Sequence, residues 1–117
     1  MHIIFDGPVR LELEQKHVVL ELDRVQLPDH SDFTTAYCVL ENIPFQELSI
    51  IEKLKDWHLE LIQAYRARDW DQCLSGLARL KGQWGGQVDS FYDIIYERVK
   101  IYKDTEPGAD WDSVVRM

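Results

Sequence analysis

The sequence predicts an α+β chain: an antiparallel β meander at the amino end, a three-helix unit behind it, and an extended carboxyl-terminal tail. Three observations carry this. Hydrophobicity alternates with period two between Val9 and Leu27, apolar positions recur at threes and fours from Leu48 onward, and pairs with capping-box spacing punctuate the second half. At 117 residues the chain is expected to form a single domain over 1–117, with a β subregion at 1–43, a helical subregion at 44–104 and a tail at 105–117.

The first strand is expected over HIIFD, His2 to Asp6, ended by the turn formers Gly7-Pro8. VRLELE, from Val9, alternates apolar and polar residues, and VVLELDRVQL resumes the pattern after Gln15 to His17, so two strands joined by a tight turn are predicted. The alternation loses its side between Asp23 and Val25, which points to a bulge. After the turn-forming run Pro28 to Asp32, FTTAYCVL has the aromatic and β-branched content of a further strand.

Ser49 with Glu52 has the spacing of a capping box and marks a first helix, with Leu48, Ile51, Leu54, Trp57, Leu61 and Ala64 or Tyr65 on one stripe. Arg66 and Arg68 then suit its negative carboxyl end. Asp69 with Gln72 repeats the box and opens a second helix, buried through Trp70, Cys73, Leu74, Leu77, Leu80 and Trp84 and stopped by Gly85-Gly86. So short a connection makes the two helices an antiparallel hairpin. Asp89 or Ser90 caps a third helix, with Phe91, Ile94, Ile95, Arg98, Val99 and Tyr102 recurring up to Lys103. In the tail, Trp111 is expected to dock on the chain's own surface, because an indole is costly to leave in water.

Composition narrows the function. Acidic residues outnumber basic ones 21 to 13, a net charge of −8, so counterion release from a phosphate backbone cannot drive binding and no nucleic-acid partner is expected. No apolar run is long enough to span a bilayer, and Asp6, Arg10 and Glu12 interrupt any signal-peptide core, so no membrane partner is expected. Cys38 and Cys73 lie in apolar settings, as buried thiols of a reducing, cytoplasmic compartment would.

Trp57, the run AYRARDW from Ala64 to Trp70, Cys73, Leu77 and Leu80 resemble one tetratricopeptide-like unit, and Phe91 falls one 34-residue repeat after Trp57. AYRARDW, then YDIIYERVKIY, then EPGADWDSV are also similar to the helical tail that follows the catalytic domain of bacterial class III adenylate and guanylate cyclases. Upstream, LDRVQLPDHSDFTTAYCVLEN resembles the last strand pair of that domain, so the likeness runs from about Leu22 to Val114. It lacks the catalytic core. The paired aspartates that hold two metal ions, and the asparagine and arginine that meet the phosphates, belong to elements with no counterpart here. Where the family carries a Lys-Gly-Lys-like stretch for the triphosphate, this chain has Leu27-Pro28-Asp29. The resemblance therefore implies a cyclase tail without cyclase chemistry.

The residues themselves offer no catalytic constellation. His2, His17, His30 and His58 lack metal-ligand spacing, His30 with Asp29 and Asp32 reads as a solvated turn, and neither cysteine has a CxxC partner. No cofactor, metal or catalytic residue is expected, and the chain is not read as an enzyme. Arg66, Arg68, Arg79 and Lys81 are candidate partner-binding cations at the hairpin, with Tyr92 beside them; Trp57, Trp70, Trp84, Phe91 and Trp111 are expected to be structural anchors. The leading expectation is a non-catalytic protein-interaction or assembly module whose unpaired sheet edge favours self-association into a homo-oligomer. The alternative is a small acidic, phage-type regulator that binds a basic surface of a host enzyme or polymerase, and a third is a nucleotide-handling cyclase remnant.

Overall fold

The computed structural model describes residues 2–5 and 7–116; Asp6, the expected end of the first strand, and Met117 lie outside them. It is mixed α+β. The elements run β1 (His2–Ile4), α1 (Gly7–Leu13), β2 (Val18–Gln26), β3 (Thr34–Leu40), a 3-10 segment (Phe45–Ile50), α2 (Ile51–Arg66), α3 (Trp70–Leu80), a 3-10 turn (Trp84–Gly86), α4 (Asp89–Asp104) and β4 (Val114–Arg116). Two compact units result. The chain up to Asn42 and the segment from Asp112 form one, and Ile43–Trp111 form the other.

In the sheet unit β2 and β3 form an antiparallel hairpin, and their register advances from Glu21 to Arg24 on one strand while it moves only from Tyr37 to Thr35 on the other. One extra residue is thus accommodated, the bulge expected there. The sheet is not a meander. Its order is β1-β3-β2-β4, with β1 antiparallel to β3 and β4 parallel to β2. The cause lies at Val9 to Glu14, expected as a strand but helical. Leu and Glu are strong helix formers, Val9 alone is β-branched, and Pro8 in a first turn loses no hydrogen bond. Arg10 then pairs with Glu14 one turn on at 2.8 Å and lies over the Tyr37 ring, which seats α1 on the sheet. Without a strand there, β1 reaches β3. The tail is likewise not simply extended, since Val114–Arg116 adds a strand to β2.

In the helical unit α2 packs on α3 and α3 on α4. Burial follows the apolar stripes through Leu54, Leu61 and Tyr65 on α2, Trp70, Cys73, Leu77 and Leu80 on α3, and Phe91, Ile95 and Val99 on α4, where Ile94, expected on the stripe, is about half exposed and Tyr92 is buried. The ends depart from expectation at three points. Ser49 sits inside the 3-10 segment, leaving Ile50 at the α2 cap and Leu48 half exposed. α3 stops at Leu80 rather than at Gly85-Gly86, because Gly82, at φ +86°, turns the chain first. Asp89 is the first residue of α4, and its carboxylate accepts the Gly82 amide at 2.8 Å instead of capping its own helix. Asp69 does cap α3, accepting the Gln72 amide at 3.2 Å.

Candidate functional site

Helix α3 offers two adjoining rows, each spaced i, i+3, i+4, i+7. Leu74, Leu77, Ala78 and Lys81 face a groove of about 480 Å³ shared with Tyr92, Asp93 and Tyr96 of α4. Gln72, Ser75, Gly76 and Arg79 face a second groove of about 400 Å³, shared with Trp57, Glu60 and Leu61 of α2. The two differ in chemistry. The α3/α4 groove has apolar and aromatic walls and one ion pair, Lys81 with Asp93, at its rim. The α2/α3 groove is lined mainly by polar and charged side chains, and its aromatic wall, Trp57, is covered by Lys53 and Arg79 at 5.1 and 5.5 Å from the ring centre.

The α3/α4 groove has a fixed floor. Tyr92 is almost fully buried, its hydroxyl accepts the Trp84 indole N–H at 3.1 Å, and His58 Nδ1 lies 2.9 Å from the same oxygen. Trp84 in turn donates its backbone N–H to the buried Glu47 carboxylate at 2.7 Å. Buried polar groups bonded in this way hold one geometry, so the Tyr92 ring is a rigid wall. Tyr96, about half exposed with Lys100 above its ring, is the open lip.

The four cations marked in the sequence do not form one patch. Arg66 and Arg68 stand at the amino end of the α2/α3 hairpin turn, whereas Arg79 and Lys81 stand at the far end of α3, which at 11 residues spans about 16 Å. Arg68 is occupied. Its guanidinium donates to the Pro107 carbonyl at 2.9 Å and to the Gly108 carbonyl, faces Glu106 at 3.7 Å and lies over the Trp111 ring. Arg66 is half-buried at the end of α2. Lys81 and Tyr92 share the α3/α4 groove, and Arg79 belongs to the other.

Of the aromatic residues, Trp70, Trp84 and Phe91 are buried and Trp57 is half-buried on its groove. Trp111 packs edge-on against Tyr65, Trp70 and Tyr102, with ring centres 5.4 to 5.7 Å apart, and Trp70 donates its indole N–H to Glu106 at 2.8 Å. That cluster straps the segment after α4 to the hairpin. Ala78, Asp93 and Tyr96 were not marked by the sequence reading. The available signal was the i, i+3, i+4, i+7 row through Leu74, together with Tyr96 standing off the buried stripe of α4.

Burial pushes the Cys38 thiol up to about 11 and the Cys73 thiol up to about 12, the latter with help from the Asp69 charge. Both are therefore protonated at neutral pH. Among the described residues no group of three histidine, cysteine or carboxylate side chains could hold a metal ion, and no helix is long and apolar enough to cross a membrane. No family model matches the sequence, and neither curated proteins nor solved structures match it.

Proposed function

We propose that the chain is a non-catalytic protein-interaction module, and that its α3/α4 groove receives a row of apolar side chains from a partner protein. The observation that supports this is the open apolar groove of Leu74, Leu77, Ala78 and Tyr96 on a rigid Tyr92 wall. Such a surface gains affinity by removing apolar area from water, and a fixed wall spares the entropy of ordering it on binding. The Lys81–Asp93 pair at the rim gives orientation, since it offers a donor and an acceptor where a partner backbone would cross. In this reading the helical unit works as one tetratricopeptide-like unit, and the likeness to a cyclase tail reflects a shared scaffold without the nucleotide chemistry.

The test is comparative affinity purification with wild-type chain, Ala78→Asp in the apolar groove and Ser75→Asp in the polar one. Both positions are exposed on α3, so circular dichroism should show the helices intact in each. A partner retained by wild type and Ser75→Asp and lost by Ala78→Asp is the expected result. Equal retention by all three overturns the groove assignment. Thermal shift with nucleotides and divalent metals is expected to show no stabilisation, and a rise of several degrees would replace this reading with the nucleotide-handling one.

A further inference from the structure

Two ion pairs join α3 to α4 on either side of the apolar residues of their groove, Lys81 with Asp93 at one end and Asp71 with Lys103, at 2.6 Å, at the other. Such pairs require antiparallel helices. Three residues inward from each pair, Ala78 therefore stands level with Tyr96, and Leu74 with Lys100. The row on α3 has positions 71, 74, 78 and 81 and the row on α4 has 93, 96, 100 and 103, both with the three-four-three spacing of a helical seam. Leu74 is half-buried and the other seven side chains are exposed.

The charges of this face select what can cover it. The cation stands on α3 at one end and on α4 at the other, so a partner helix of a single sign would meet a like charge along whichever helix it lay. A second copy, turned about a two-fold axis along the groove, meets none. Its α4 then lies on α3, so Lys81 comes over Asp93 of the other chain and Asp71 over Lys103, and each ion pair grows into an alternating square of four charges. Between the squares, the exposed Tyr96 ring comes over the small Ala78, and the Lys100 stem covers Leu74. Sliding the copies by one heptad would bring Lys81 against Lys100 or Leu74 against Asp93, so this register is the one the sequence favours.

We propose that the α3/α4 face is a two-fold homodimer interface, in which each chain seats Tyr96 on Ala78 of the other and the four helices form a bundle. The occupant of the groove is a second copy of this chain. The inference rests on the reading of the groove as an interaction surface and adds which protein fills it. Screening that loosens the charge squares also relieves the repulsion between two chains of net charge −8, so the apolar centre governs the response to salt.

The experiment is sedimentation equilibrium on the full chain, with native mass spectrometry to identify the chains in each dimer. Wild type and Ser75→Asp should dimerise alike as concentration rises, and Ala78→Asp should not. Lys81→Asp and Asp93→Lys each set like charges over one another in the dimer and should each weaken it by roughly tenfold. An equimolar mixture of these two chains should regain wild-type association as a heterodimer, because every charge then faces its opposite; a folding defect in either chain would not be repaired by mixing. A mixture no tighter than its components overturns the proposal, as does a dimer that persists in Ala78→Asp. A strict wild-type monomer at the highest soluble concentration overturns the second copy alone, since the groove reading still stands if Ala78→Asp loses a different partner that Ser75→Asp keeps.

Discussion

At the scale of single residues, position decides which of several identical side chains has consequences. Five tyrosines occur in the sequence, yet Tyr92 alone places its hydroxyl between His58 and Trp84 and lends a wall to the groove. The sequence marked it as a candidate partner-binding residue beside the predicted stripe; that its oxygen would meet an indole eight residues back and an imidazole 34 residues back was invisible, because neither separation carries a local signal. Asp112 is the corresponding case in the sheet unit. Its hydrogen bond from Arg116, and then the one from the Val114 amide, favour the anion and hold its carboxyl below the ordinary aspartate range. A lowered folded pKa contributes stability in full above the unfolded value of about 4 and loses it as the pH falls through the folded one. The Val114 amide should therefore lose hydrogen-exchange protection below about pH 4, ahead of amides in the centre of β3, whereas Asp112→Asn should remove that acid step. Protection that declines in parallel across the whole sheet would refute the local cause.

At the scale of elements, local pattern was legible where local energy decides. The hairpin of β2 and β3, the bulge between Glu21 and Arg24, and the stripes of the three long helices all follow from periodicity, because one face of each element is buried. Element ends were less legible, since capping residues compete with backbone paths set by their neighbours. Two sites with the same capping-box spacing show the difference. Asp69 makes its bond to Gln72, so Asp69→Ala should cost about 1 kcal/mol in urea unfolding. Ser49 lies inside a 3-10 segment, so Ser49→Ala should change stability by only a few tenths, roughly 0.3 kcal/mol or less. Equal losses in the two variants would show that Ser49 caps α2 in solution. The same competition explains α1, where the six alternating residues Val9 to Glu14 fit a strand or a short helix equally well and helix propensity prevailed.

At the scale of the whole molecule, the net charge of −8 sets a long-range field, and the α3/α4 groove sets a short-range surface. These predict opposite responses to salt. A partner seated in the groove should keep its dissociation constant within about threefold between roughly 50 and 500 mM NaCl, because screening acts on exposed charges and leaves apolar burial intact. A constant that weakens by a hundredfold or more over that range would favour the acidic-regulator reading. By itself, the sequence determined the α+β class, the strands β2 and β3, the three long helices with their buried stripes and the acidic charge, since each depends on residue type and spacing within a few turns of chain. Only the tertiary structure decided that β1 joins β3, that Val114–Arg116 runs parallel to β2, that Arg68 is taken up by the segment after α4, and that two rows of α3 face grooves of opposite character. Each of these joins residues 20 or more positions apart, or turns on which of two competing partners packs better, and such choices are made by the burial of distant surface rather than by local conformational preference.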